Sequence, residues 1–202
     1  MEKLLEILSN TAANDSCIHR AIRNAEDDGY EYACGETRIC VWRKDWDFVI
    51  KIPRYGYTDT DYCQLEAKNY AKAVEYKVER VCLPIEYVTT SESGIAIYRQ
   101  PRYTMSTRDS FNRENHYQTY LKKRGIQTVN SKGMVSRILD NCYCGYRIDE
   151  TWMARVMQLY GKKFCRSFER WTQECHVNDL HNCNTGWLNN RPILLDYAGY
   201  HD

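Results

Sequence analysis

The chain has 202 residues, 43% hydrophobic and 27% charged, which suits one packed domain and is short for two independent cores. Lys and Arg number 28 against 27 Asp and Glu, and a net charge of +1 argues against a broad counterion-releasing surface for nucleic acid or an anionic membrane. The N-terminal MEKLLEILSN has no long apolar run, and nothing downstream approaches the ~20 apolar residues that span a bilayer, so the expectation is a cytoplasmic protein with no membrane partner. Ten cysteines without an export signal point to free thiols rather than disulfides. Cys142, Cys144, Cys175 and His176 are zinc-ligand types, but C-x-C with C-H lacks the two-residue spacing common in structural zinc sites. The simpler reading is small, partly buried apolar residues.

Residues 2 to 28 read as helical: Leu4, Leu5, Ile7 and Leu8 cluster, and after the cap signal Asn14-Asp15-Ser16 the residues Ile18, Ala21, Ile22 and Ala25 recur at helical spacing up to Gly29. Thr37 to Trp42 and Asp47 to Ile52 are β-rich runs joined by Arg43-Lys44-Asp45-Trp46, a hairpin that Pro53 closes. The run Thr58-Asp59-Thr60-Asp61 supplies caps for a helix from about 60 to 78, with Cys63, Ala67, Tyr70 and Val74 on one face. A second hairpin follows, Pro84 to Thr89 and Gly94 to Gln100, turning at Thr90 to Ser93.

Residues 102 to 149 are polar and rich in Tyr, Arg and Lys, with two short helices as the expectation. Tyrosines there could stack on bases, but the near-zero net charge counts against nucleic acid, and Tyr with Arg equally serves protein interfaces. Residues 150 to 172 form the clearest helix, because Met153, Met157, Tyr160, Phe164, Phe168 and Trp171 make an unbroken apolar stripe. A polar loop, Cys175 to Asn184, precedes two short strands, Gly186 to Leu188 and Pro192 to Leu195, that turn at Asn189-Asn190-Arg191.

Asp179-Leu180-His181-Asn182-Cys183-Asn184 reads D-L-H-x-x-N, and after the hairpin Ile193-Leu194-Leu195 ends in Asp196-Tyr197-Ala198-Gly199. In order and spacing this resembles the catalytic loop and metal-binding segment of the protein-kinase-like superfamily. Upstream, Phe48-Val49-Ile50-Lys51-Ile52 is similar to the V-A-I-K strand, and Glu66 falls in the following helix, with Leu65 or Glu75 as alternatives if the register shifts. The resemblance implies Lys51 on the nucleotide phosphates, Glu66 as its orienting partner, Asp179 as catalytic base and His181 shaping the loop. It further implies Asn184 and Asp196 as Mg²⁺ ligands, and a hinge between Ile95 and Tyr103, with Arg99 and Gln100, beside the adenine of ATP.

The implied fold is α+β and two-lobed, one domain over residues 1–202. It comprises an N-terminal helical extension (1–32), a small antiparallel-sheet N-lobe with a helix (33–101) and a truncated, mainly helical C-lobe (102–202). Two departures stand out. Laid on G-x-G-x-x-G-x-V, residues 33 to 40 keep only Gly35, with Arg38 or Thr37 as compensating residues. Little chain follows Asp196, so the usual peptide-substrate platform is not expected, as in short kinases of bacteriophage early proteins and bacterial effectors. The expected function is a minimal ATP- and Mg²⁺-dependent kinase acting on Ser, Thr or Tyr of a partner protein, in the host cytoplasm if the chain is viral. The alternative is a pseudokinase that inhibits or scaffolds a partner. Small-molecule phosphotransferases of the aminoglycoside type share D-L-H-x-x-N but need a larger C-terminal helical region.

Overall fold

The computed structural model describes residues 1–56, 58–103, 150–180, 184–189 and 191–199, and over these the chain is mixed α+β. Its contacts separate two compact units: Met1–Lys68 with Pro84–Tyr103, and Asn69–Leu83 with Thr104–Asp202.

In the first unit the N-terminal region is two helices, α1 (Glu2–Ser9) and α2 (Asp15–Asn24), followed by a 3-10 turn, Glu26–Asp28. Helix α1 closes at Asn10, whose N–H bonds the Glu6 carbonyl at 3.2 Å, and α2 opens at Asn14, whose backbone is extended (φ −143°). Asn14 Oδ1 accepts the N–H groups of Ser16 at 3.0 Å and Cys17 at 3.4 Å, which caps α2.

Five antiparallel strands follow: β1 (Tyr30–Cys34), β2 (Arg38–Arg43), β3 (Phe48–Pro53), β4 (Glu86–Thr90) and β5 (Ala96–Pro101), in the order β1-β2-β3-β5-β4. Both expected hairpins are present. Strand β1 is an addition to the expected elements: Asp28-Gly29 marks a turn directly before it, but the alternation of Tyr30-Glu31-Tyr32 lapses at Ala33-Cys34.

Alternation along the strands divides the sheet into two faces. Ile39 and Val41 of β2, Ile50 and Ile52 of β3 and Ile97 of β5 lie on one face, fully buried in one core with Leu4, Leu8, Ile18 and Ile22 of the two helices. Each such aliphatic side chain contributes about 1.5–3 kcal/mol when removed from water. Lys51 lies on the other face, opposite Cys40 on β2 and Tyr98 on β5. Covering of both faces explains why β3 reads as a continuous apolar run broken only by that lysine.

Helix α3 (Tyr62–Tyr76) starts at Asp61, whose Oδ1 accepts the Gln64 N–H at 2.8 Å. It stops at Lys77, where a left-handed residue (φ 60°) lets the Val78 N–H reach the Ala73 carbonyl at 2.8 Å. Of the expected apolar face Cys63 is buried, Ala67 and Tyr70 are partly so and Val74 is 50% exposed, while the fully buried row also takes in Tyr62, Glu66, Asn69 and Ala73. Two polar residues occupy the inward row because each has buried partners, and a hydrophobic pattern cannot register them.

In the second unit α4 (Glu150–Glu174) buries Trp152, Met153, Val156, Cys165, Phe168 and Trp171. The helix is broken at Gly161 (φ 78°, ψ 173°), which re-phases its apolar stripe, so the expected Met157, Tyr160 and Phe164 are only partly buried. Strands β6 (Thr185–Leu188) and β7 (Arg191–Leu194) form a hairpin with a two-residue loop. Asn189 takes φ 50°, the left-handed value such a loop requires and Asn tolerates.

Among the described residues no helix is long and apolar enough to cross a membrane. Cys17, Cys34, Cys40, Cys63, Cys82, Cys165 and Cys175 are free thiols. The expected helices within 102–149, the tyrosines considered for base stacking there, and Cys142 and Cys144 lie outside the described residues, apart from Arg102 and Tyr103.

Candidate functional site

The first cluster belongs to the sheet unit. Lys51, on the interior strand β3, is only 4% exposed and donates through Nζ to both oxygens of Glu66, at 2.9 Å and 2.8 Å. Glu66 is wholly buried, and a buried carboxylate is tolerated only when its charge and lone pairs are met. Oε2 also accepts Arg38 Nη1 at 2.7 Å, and Oε1 accepts Gln100 Nε2 at 3.1 Å. Four hydrogen bonds from three side chains therefore fix one carboxylate. Cys63, one turn before Glu66, has its thiol pushed well up by burial and stays protonated, so it is no nucleophile. The alternative Glu75 is exposed and pairs with Lys72 at 2.7 Å.

Strand β5 sorts the two residues expected beside adenine onto opposite faces. Gln100 turns inward to Glu66. Arg99 lies on the face of Phe48, 5.7 Å from that ring, exposed and hydrogen-bonded to Glu86 at 2.6 Å, so the structure does not bring it to Lys51.

Gly35 lies in the β1–β2 turn, where its N–H donates to the Arg38 carbonyl at 2.9 Å. A Cβ built there meets nothing nearer than that carbonyl at 3.6 Å, so the position does not demand glycine. The turn is held by Arg54 instead. Its Nη1 donates to the carbonyls of Gly35 and Glu36 at 3.2 Å and 3.3 Å, and its Nε and Nη2 grip Asp15 at 3.0 Å and 2.9 Å. The Arg54 hydrogen bond, reinforced by its charge, holds the Asp15 carboxyl below the ordinary value.

The second cluster is built at the end of α4. Helix α4 terminates at His176 (φ 51°), with Val177 N–H on the Thr172 carbonyl at 2.9 Å and His176 N–H on the Gln173 carbonyl at 3.3 Å. That turn delivers the loop holding Asp179. Asn184 precedes β6 and Leu195 follows β7, and the Leu195 N–H bonds the Asn184 carbonyl at 2.8 Å, so Asn184 and Asp196 flank the open end of one hairpin. Asn184 Nδ2 donates to the Asp179 carbonyl at 2.8 Å and to Asp179 Oδ2 at 3.0 Å.

Gly199 backs onto the same turn. An added Cβ would lie 2.1 Å from the His176 carbonyl oxygen and 2.9 Å from Asn178 Oδ1. His181 lies outside the described residues.

Asn69 was not anticipated as part of this arrangement. It is 4% exposed, and its Nδ2 donates to the carbonyls of Tyr197 at 2.9 Å and Ala198 at 3.3 Å, while its own carbonyl accepts the Trp171 indole N–H at 2.9 Å. Its position three residues after Glu66, hence on the same side of α3, was the available signal.

The donor chemistry of the second cluster fits a hard divalent cation. Because Asn184 directs its Nδ2 at Asp179, the planar amide turns Oδ1 to the opposite side. That oxygen and the carboxylate of half-buried Asp196 are donors of the kind a hard cation takes. Among the described residues no three His, Cys, Asp or Glu side chains form a cage on their own. Mg²⁺ does not require one, since it is usually held by one or two carboxylates together with substrate phosphates. Comparison with protein-family models, with curated proteins and with solved structures found no match.

Proposed function

We propose that the chain is a minimal ATP- and Mg²⁺-dependent protein kinase of the protein-kinase-like superfamily, transferring a phosphoryl group to a Ser, Thr or Tyr hydroxyl of a partner protein. The observation that carries this reading is the buried Lys51–Glu66 pair, because a buried ion pair adds little stability over apolar residues of the same volume, so its presence there points to a use in binding. A lysine clamped by a carboxylate is a fixed point charge for α- and β-phosphates, and Glu66 stays in place through Arg38 and Gln100.

The other requirements fall to the loop of the second unit. Asn184 and Asp196 would hold Mg²⁺, which neutralises charge on the phosphates. As the acceptor oxygen forms its bond to the γ-phosphorus, the bond to the β–γ bridging oxygen breaks and ADP departs. The Asp179 carboxylate takes the hydroxyl proton. Asn184 orients Asp179 through the two bonds already described.

The test is calorimetric binding of Mg-ATP together with ADP release in host lysate, for wild type and Asp179→Asn. Binding in both proteins, with turnover only in wild type, is the expected result. Equal turnover in Asp179→Asn refutes the base assignment. Binding without turnover in wild type indicates the scaffolding alternative, and absence of nucleotide binding rejects the kinase reading.

A further inference from the structure

We propose that Arg38 is a second phosphate-binding cation beside Lys51, in place of a glycine-loop backbone cradle; the inference rests on the nucleotide-binding reading above. Arg38 opens β2 directly after the turn containing Gly35 and is 6% exposed. The β2–β3 register sets Arg38 opposite Pro53 and Lys51 opposite Cys40, so the two cations stand on one sheet face, one step apart. Both touch the same atom: Arg38 Nη1 at 2.7 Å and Lys51 Nζ at 2.8 Å from Glu66 Oε2. An anion that reaches Lys51 therefore also meets Arg38.

The turn itself explains why a side chain takes this role. A glycine-rich loop binds phosphate through backbone N–H groups that approach the ligand closely. Here the Gly35 N–H is spent on the Arg38 carbonyl, the carbonyls of Gly35 and Glu36 are held by the Arg54 guanidinium, and the Arg54 N–H donates to the Thr37 carbonyl at 3.2 Å. A turn locked by its own residues is a poor cradle, whereas a guanidinium matches the geometry of phosphate oxygens and carries a permanent charge. Glu66, shared between Arg38 and Lys51, keeps both cations in place without a ligand.

The experiment is calorimetry with Mg-ATP and with adenosine on wild type, Arg38→Met and Arg38→Gln, with thermal melts to establish folding. Adenosine is the control, since it carries the base and ribose and no phosphate. In Arg38→Met the Mg-ATP affinity should fall at least about tenfold, a loss of about 1.4 kcal/mol, with adenosine affinity unchanged. Should Arg38→Met fail to fold, Arg38→Gln decides, because its amide can still donate to Glu66 without a charge. Mg-ATP affinity within about twofold of wild type, or an equal loss for adenosine, overturns the role of Arg38 while leaving the kinase reading in place. A wild-type protein that binds neither probe rejects both, and does so before any substitution is compared.

Discussion

Gly199→Ala should be severely destabilising. Gly199 has φ 75°, a left-handed conformation that costs an alanine about 1–2 kcal/mol. The added methyl would also stand 2.1 Å from the His176 carbonyl oxygen, with the carbonyl carbon at 3.1 Å. That obstacle is backbone, and it cannot swing aside. The His176 carbonyl accepts the Asn178 N–H at 2.8 Å, and His176 is itself the left-handed terminator of α4. Relief therefore requires moving the end of α4 or lifting the Asp196–Gly199 segment off it, and overpacking of this kind costs about 1–3 kcal/mol. Together the two terms amount to roughly 2–5 kcal/mol, a large share of the ~5–15 kcal/mol by which domains are stable.

Urea unfolding followed by tryptophan fluorescence should show a midpoint lower by roughly 1–2.5 M, taking m near 2 kcal/mol/M. Gly35→Ala is the matched control. With its nearest contact at 3.6 Å it should be neutral or stabilising by up to about 1 kcal/mol through the unfolded chain. A Gly199→Ala midpoint indistinguishable from wild type would refute the reasoning.

Glu66→Gln leaves Arg38 and Lys51 facing a neutral amide and should cost about 3–5 kcal/mol in chemical denaturation. Lys51→Met should cost less, since Arg38 and Gln100 still engage Glu66, and the opposite ranking would dismiss the shared-carboxylate account. The Asp15–Arg54 pair makes a pH-dependent contribution. Because the folded carboxyl lies below its ordinary value of 3.8, the stabilisation is complete above that value and is lost as pH falls through the lower folded one. Wild type should therefore exceed Asp15→Asn in stability at neutral pH, with the gap closing as pH falls below about 4. A gap constant across that range would count against the pair.

The parts of the fold and site legible in the sequence were those written in periodicity or in a local motif. Lys51 interrupts an apolar strand, Asn14 and Asp61 announce helix starts, and the Asn189 turn marks the last hairpin. What escaped depends on partners remote in the chain. Asn69 and Arg38 look like solvated polar residues until Tyr197 and Glu66 are placed beside them. Arg99 and Gln100 are adjacent in sequence, and it takes their placement in β5 to turn their side chains to opposite faces. The Gly161 break was hidden by an apolar stripe that keeps helical spacing across it.

The covering of the sheet by α1 and α2 bears on how the chain acquires its structure during synthesis. Leu4, Leu8, Ile18 and Ile22 emerge before any of the strands they will cover, and β3 must wait for β5, which follows α3 and β4 in the chain. Strands β2 and β3 can cover the two helices as soon as they emerge, but the shared core is complete only when Ile95 and Ile97 arrive and β5 pairs with β3, a long-range closure of the kind that slows folding. Until then part of that core is open to chaperone capture and to aggregation.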